Sequence, residues 1–156
     1  MASFTNILVP FDGSEAAKRA LDAAIGIAAD KAVITLLQAA DQPNAADPTA
    51  VVAERMAGVI RSEAAMEQEV AQYWESIDEA LARVAKEAQE QAGEGVEIRT
   101  EVKEGNPAAV IMNYAKANDV DIIVMGRRGL GSVRAMLGSV SQRVAHETDL
   151  PLLLVR

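Results

Sequence analysis

The chain has 156 residues, which suits one ordinary domain and is too short for two. Half of the residues are apolar but only 3% are aromatic, so small aliphatic side chains must fill the core. There is no cysteine and only one histidine, His146, which excludes disulfides, thiolate catalysis, Cys-based metal sites and multi-histidine metal centres. We expect one domain over residues 1–156.

The formal net charge of −8, from 23 acidic and 15 basic residues, repels polyphosphate backbones and anionic lipid surfaces. We therefore expect neither nucleic acid nor a membrane as a partner. No run of 18 apolar residues is present, and the first residues lack the basic and apolar regions of a signal peptide. The expected location is the cytoplasm.

Short apolar runs alternate with helical stripes in the first part of the chain. The run at Phe4–Pro10 predicts a buried strand, and Ser14 is placed as the N-cap of a helix over residues 14–30. The β-branched run Val33–Leu37 predicts a second strand. Residues 41–48 contain two prolines without periodicity, which indicates a loop.

Residues 49–92 contain helix formers and no proline, but they cannot form one straight helix inside a small domain. Such a helix would be about 66 Å long, whereas a domain of this size is about 40 Å across. We expect a break between Gly58 and Met66, and Gly93 and Gly95 to end the second helix.

The second half of the chain continues the alternation. Its predicted elements are an edge strand over 96–102, a helix at Pro107 with Asn106 as N-cap, a central strand over 121–125, a helix capped by Ser139 that runs to Glu147, and a last strand over 152–155. Strict alternation of strands and helices predicts a parallel sheet with helices on both faces and right-handed crossovers.

Two strand ends carry unusual sequence. The first is Pro10-Phe11-Asp12-Gly13-Ser14, and the second begins at Gly126 and runs through glycine-rich sequence to Ser141. Ligands of doubly wound sheets bind beyond the carboxyl ends of strands, where the strand order reverses. Both segments are therefore candidate binding loops.

The second segment has the parts of a phosphate cradle. Its glycines permit positive φ or close approach of a ligand, and Gly138-Ser139 at a helix start leaves amide N–H groups free. Ser139 and Ser141 add hydroxyl groups, while Arg127 and Arg128 add charge. The alternatives are that the glycines only turn the chain and that both arginines are solvated or ion-paired. Asp12 either contacts the ligand or shapes its own turn.

The chain resembles the universal stress protein family in four segments that occur in the family's order. These are Ile7-Leu8-Val9-Pro10-Phe11-Asp12-Gly13-Ser14, Val120 to Gly126, Gly138-Ser139-Val140-Ser141, and Pro151 to Val155. The resemblance implies a Rossmann-like, doubly wound five-stranded sheet of order 3-2-1-4-5 that binds ATP and forms dimers. Between Gly129 and Gly138 this chain has eight residues where the family signature has nine. We expect this difference to affect the binding of the triphosphate more than the binding of adenine.

Carried over by position, Asp12 resembles the acid near adenine and ribose, and Ala39 matches a residue that meets adenine through its backbone. The glycines and serines match the phosphate and ribose loop. The predicted site residues are Pro10, Phe11, Asp12, Ala39, Met125, Gly126, Arg127, Gly129, Gly138, Ser139, Val140 and Ser141.

The resulting hypothesis is a dimeric stress-response module that binds ATP, ADP or AMP, with or without Mg²⁺, and contacts an unknown protein partner. No Gly-x-Ser-x-Gly elbow or receiver-type acidic pair is present, so a dedicated enzyme is disfavoured and slow ATP hydrolysis is the most we expect. The homodimer is expected to form through the apolar last strand. The alternative is a nucleotide-free dimeric interaction module of the same fold.

Overall fold

The computed structural model describes residues 4–41, 48–58, 62–130 and 137–156, in which strands and helices alternate. The strands are β1 Phe4–Pro10, β2 Ala28–Ala40, β3 Val96–Glu104, β4 Ile122–Gly126 and β5 Leu152–Val155. The helices are α1 Glu15–Ile27, α2 Pro48–Met56, α3 Glu63–Ala92, α4 Pro107–Ala117 and α5 Ser139–Glu147.

The five strands form one parallel sheet of order β3-β2-β1-β4-β5, as predicted. Strand β1 lies at the centre, where Ile7 pairs with Ile34 of β2 on one side and with Ile122 of β4 on the other. The chain moves outward to β2 and β3 and then returns to the other side of β1. The strand order therefore reverses between β1 and β4, and this reversal opens a crevice at their carboxyl ends.

Helices cover both faces of the sheet, also as predicted. Ile7 and Val9 of β1 are fully buried in the cluster that includes residues of α1 and α3. Leu8, between them, is fully buried in the opposite cluster with residues of α4 and α5. Neighbouring side chains of a strand point to opposite faces, so the buried part of a central strand with helices on both sides is apolar at successive positions.

Two predicted helix starts are confirmed. The Ser14 hydroxyl accepts a hydrogen bond from the Ala17 amide at 3.1 Å, and the Asn106 side chain accepts one from the Ala109 amide at 3.3 Å. The long helical region breaks as expected, because α2 ends at Met56 and α3 begins at Glu63. Most of the predicted loop at 41–48, residues 42–47, lies outside the described residues.

The predicted boundary between α1 and β2 is wrong. The helix ends at Ile27 and not at residue 30, and the strand begins at Ala28 because this residue pairs with Phe4 of β1. Lys31 then adopts φ +63° and donates its amide to the carbonyl oxygen of Gly95. Pairing with strands distant in sequence decides this boundary, and the helical spacing of Ala24 and Ala28 does not reveal it.

Asp121 precedes β4 and is not part of it, in contrast to the prediction. Its carboxylate accepts hydrogen bonds from the Thr5 amide, the Thr5 hydroxyl and the Asn6 amide, each at 2.9 Å. The backbone amides of Thr5 and Asn6 and the Thr5 hydroxyl lower the pKa of Asp121 below its ordinary value. These hydrogen bonds connect the start of β1 to the start of β4.

Candidate functional site

A cavity of about 300 Å³ opens at the carboxyl ends of β1, β2 and β4, at the point where the strand order reverses. Every predicted site residue except Arg127 lines it: Pro10, Phe11, Asp12, Ala39, Met125, Gly126, Gly129, Gly138, Ser139, Val140 and Ser141. Its volume is at the lower end of the range typical of small-molecule sites.

The floor of the cavity is apolar. Phe11, Met125, Leu37 and Ile111 line it and are all at least nine-tenths buried. Leu37 and Ile111 were not predicted as site residues, because an apolar residue on a strand or helix stripe looks the same in sequence whether it meets the core or a ligand. The floor can accept a flat apolar group such as a nucleobase.

One wall of the cavity presents backbone groups of Ala39. Strand β1 follows β2 only as far as the pair Pro10–Leu37 and the hydrogen bond from the Phe11 amide to the Leu37 carbonyl oxygen, at 2.9 Å. Alternate residues of a strand direct their N–H and C=O groups to the same neighbour, so Ala39 faces the same side as Leu37. Because β1 pairs with β2 no further than Pro10, the polar groups of Ala39 have no partner in a described strand on the cavity side.

The start of α5 forms the opposite wall. The N-cap is Gly138, with φ −62° and ψ 151°, so the prediction that Ser139 is the cap is wrong. Gly138 has no side chain to cap the helix, and its own amide bonds the Arg127 carbonyl oxygen at 3.0 Å. The first amides of α5, at Ser139, Val140 and Ser141, have no partner within the helix, and no described side chain caps them. The positive end of the helix dipole lies at the same point.

Ser141 has a structural role in this wall. It is 3% exposed, and its hydroxyl donates to the Gly126 carbonyl oxygen at 2.9 Å. This bond joins α5 to the end of β4. The Ser139 side chain is exposed and remains able to donate to a ligand.

None of the described cavity glycines has positive φ, and two of them, Gly126 and Gly129, allow a close approach of other atoms. Among the described glycines, positive φ occurs at Gly13, Gly58, Gly93 and Gly105. A Cβ on Gly126 would lie 2.8 Å from the Ala16 Cβ, so this glycine lets α1 pack against the end of β4. A Cβ on Gly138 would meet described atoms only at 3.4 Å or more. Nothing described around Gly138 demands a glycine, and its absent side chain leaves space in front of α5.

Both alternatives for Asp12 find support in its surroundings. Its Oδ1 accepts the Ser14 amide at 2.9 Å, which closes the turn before α1. Its Oδ2 lies beside Gly129, where a Cβ would approach it to 2.5 Å. The side chain is exposed and lines the cavity. Asp12 therefore shapes the turn and presents a carboxylate to the cavity.

Arg127 does not join the predicted site. It lines a second cavity, which borders the N-terminal turn of α1 and the end of β5. Arg128, the next residue, lines both cavities. The two arginines therefore differ in that only Arg128 also reaches the first cavity.

Two further features concern the described residues only. They contain no group of three or more His, Cys, Asp or Glu side chains arranged to hold a metal ion. None of their helices combines the length and apolar character needed to cross a membrane.

Comparison with known proteins identifies the family. The sequence profile of the universal stress protein family matches residues 3–156. The chain is 31% identical to universal stress protein YxiE of Bacillus subtilis over 156 residues, covering 98% of this chain and 99% of that protein.

Solved structures share the fold. The hypothetical protein MJ0577 superposes with a TM-score of 0.74 at 24% identity, covering 99% of this chain and 96% of that one. A universal stress protein in complex with cAMP gives a TM-score of 0.61 at 22% identity, covering 99% and 98%. The profile match along almost the entire chain and the 31% identity to YxiE establish that the chain belongs to the universal stress protein family.

Proposed function

We propose that the cavity between β1 and β4 binds an adenine nucleotide and that the protein is a stress-response binding module and not a dedicated enzyme. The observation that carries the proposal is the uncapped start of α5, at Gly138, which faces a cavity with an apolar floor. A helix start with free amides suits a phosphate, and the apolar floor suits a base.

Ala39 supports adenine over guanine. Its cavity-side carbonyl oxygen is free to accept the exocyclic amino group of adenine, and its amide is free to donate to the adjacent ring nitrogen. Guanine carries an acceptor, O6, where adenine carries this amino donor. The backbone of Ala39 therefore favours adenine over guanine, because it offers an acceptor to the position where adenine has a donor and guanine has an acceptor.

Phosphates would lie at the other end of the cavity. The amides of Ser139 and Val140 and the Ser139 hydroxyl supply donors, and Arg128 supplies positive charge. Asp12 is the carboxylate among the described lining residues. Mg²⁺ usually binds one or two carboxylates together with substrate phosphates, so Asp12 would be its protein ligand on a bound di- or triphosphate.

The related structure that contains cAMP supports an adenine nucleotide in this fold. The described lining residues include no histidine, cysteine or lysine that could act as a general base or nucleophile beside Asp12. The proposal is therefore one of binding, with nucleotide occupancy altering a surface that a protein partner contacts.

We also propose a homodimer through β5. This strand pairs with β4 on one side, and its outer edge is unpaired within the described residues. Its sequence is entirely apolar, and Leu153 is 37% exposed. An apolar edge strand invites pairing, and a second copy of the same strand would cover it symmetrically.

The experiment that tests nucleotide binding is thermal unfolding of the purified chain with ATP, ADP, AMP, cAMP or GTP at about 100 times the expected Kd. A ligand at that level adds about 2.7 kcal/mol, which raises the Tm by about 5–10 °C for a domain of this size. Adenine nucleotides should raise the Tm and GTP should not. Equal response to GTP would contradict base recognition, and no response to any nucleotide would favour the nucleotide-free interaction module.

A further inference from the structure

A second cavity, of about 370 Å³, lies next to the first and is lined differently. The two share only residues at the start of α1 and in the loop after β4. The lining of the second cavity is arginine-rich. Its residues are Ser14, Glu15, Ala16, Arg19, Arg127, Arg128, Gly129, Leu130, Val155 and Arg156.

Four arginines around one cavity are unexpected in a chain of net charge −8. Arg19, Arg127, Arg128 and Arg156 form no ion pair with a described acidic residue. Glu15 is the one described carboxylate in the lining, and it pairs at 2.9 Å with Lys18. Among the described lining residues, four guanidinium groups therefore face a single carboxylate side chain.

Arg127 is the one of these arginines with a buried, unpartnered side-chain nitrogen among the described residues. Its Nε atom is buried and has no hydrogen-bond partner among the described residues. A buried donor without a partner is costly, and a charged one more so, unless something else accepts from it. Its amide also bonds the Val155 carbonyl oxygen at 2.7 Å, which holds the residue against the end of β5.

Arg19 approaches from the other side. Its Nε donates to the main-chain oxygen of Arg156, the last residue of the chain, which also lines the cavity. The first turn of α1 adds the positive end of a helix dipole. Arginine binds phosphoryl oxygens with two parallel N–H donors, which makes several converging arginines a good phosphate site.

We propose that this second cavity binds a phosphate-class oxyanion, with Arg127 as the central ligand and Arg19 as the second. The anion has two possible sources: a free phosphate, or the terminal phosphates of a nucleotide in the adjacent cavity that reach it past Arg128. The site is defined by its own lining, so its occupation by a free anion does not depend on the proposed nucleotide binding.

The first test uses inorganic phosphate and pyrophosphate alone, titrated into the full chain at constant ionic strength with chloride as the balancing ion. Constant ionic strength is required because salt by itself screens surface charge. The wild-type chain should bind at least one of the two anions by calorimetry, and Arg127→Gln should weaken that binding about tenfold or more. Arg83→Gln removes an exposed arginine on α3 and serves as the matched charge control, with unchanged binding expected.

The second test separates the two sources. If the anion comes from a nucleotide, Arg127→Gln should weaken ATP binding while AMP binding stays unchanged. If it is a free phosphate, ATP and AMP should bind both variants equally, and only phosphate or pyrophosphate should lose affinity. Arg127→Lys keeps the charge and should restore part of the lost affinity, which a purely structural role of Arg127 would not produce.

The proposal is overturned if phosphate, pyrophosphate and ATP each bind the wild-type chain and Arg127→Gln equally, or if none of them binds at all. Far-ultraviolet circular dichroism and the Tm without ligand establish that the variants fold. If Arg127→Gln does not fold, Arg19→Gln takes its place with the same expected loss. Failure of adenine nucleotides to bind, with phosphate binding intact, would refute the nucleotide proposal and leave this one standing.

Discussion

Asp12 Oδ2 lies so close to Gly129 that a Cβ built on that glycine would approach it to 2.5 Å. The two residues come from the ends of β1 and β4, the strands between which the sheet order reverses. Because Gly129 has no side chain, there is room for the Asp12 carboxylate in the cavity. Oδ1 of the same carboxylate accepts a hydrogen bond from the Ser14 amide. The loop after β4 and the turn after β1 therefore fit each other.

Gly129→Ala should displace the Asp12 carboxylate and weaken nucleotide binding several-fold. Stability should change by less than about 1 kcal/mol, because the new methyl group meets only the end of an exposed side chain. Calorimetric titration with ATP and AMP measures the first effect, and urea unfolding measures the second. Asp12→Ala is the comparison variant, and wild-type affinity in Gly129→Ala would exclude a ligand role for the position of Asp12.

Gly138→Ser should separate stability from binding. The backbone of Gly138 already has N-cap geometry, and serine is preferred there, so stability should rise by a few tenths of a kcal/mol. The new hydroxyl would accept an amide of the first turn of α5 and compete with a phosphate, lowering nucleotide affinity about tenfold.

The control for Gly138→Ser is Gly26→Ser. Gly26 lies near the C-terminal end of α1, and a Cβ built on it has no neighbouring atom within 4 Å. Gly26→Ser should leave affinity unchanged. Thermal unfolding with and without ATP reports both quantities for each variant. Unchanged affinity in Gly138→Ser would mean that phosphates do not lie on the start of α5.

Asp121→Asn should destabilise the protein at neutral pH by about 1 kcal/mol or more, because a carboxylate that accepts three hydrogen bonds becomes a neutral amide. The pKa of Asp121 is lowered in the folded state, so its contribution is complete above the unfolded value and is lost as pH falls through the folded one.

Urea unfolding of wild type and Asp121→Asn from about pH 7 to about pH 2 tests this linkage. The difference between the two proteins should be greatest near neutrality and should shrink in acid. Asp149→Asn changes an exposed carboxylate near the start of β5 and should show no such convergence. A constant difference across the whole range would show that the charge of Asp121 contributes nothing.

Leu153→Lys should prevent self-association if β5 forms the dimer interface. The substitution places a charge on an apolar edge strand, where natural proteins use lysine to block pairing. Sedimentation velocity of wild type should show a dimer, and the variant should sediment as a monomer. Val52→Lys, at an apolar residue of α2 that is 55% exposed, is the matched control and should stay dimeric. A dimeric Leu153→Lys would place the interface elsewhere.

The sequence by itself determined the elements and most of the site. Alternation of apolar runs and helical stripes depends on near neighbours in the chain, as do the caps at Ser14 and Asn106. The site residues could be predicted because glycines, serines and an aspartate directly follow buried strands. Such residues do not contribute to an apolar core, so their presence there indicates another role. Parallel strands bring their carboxyl ends to one edge, so these segments had to meet once the strand order was known.

Only the tertiary structure decided which way individual groups point. Arg127 and Arg128 are adjacent in sequence, yet only Arg128 lines the first cavity. The backbone of Arg127 is held by hydrogen bonds to Val155 of β5 and to Gly138 at the start of α5. The hydroxyl of Ser141 is bonded to Gly126, across 15 positions of sequence. Pairing and packing between distant segments set these directions, and residue spacing along the chain does not record them.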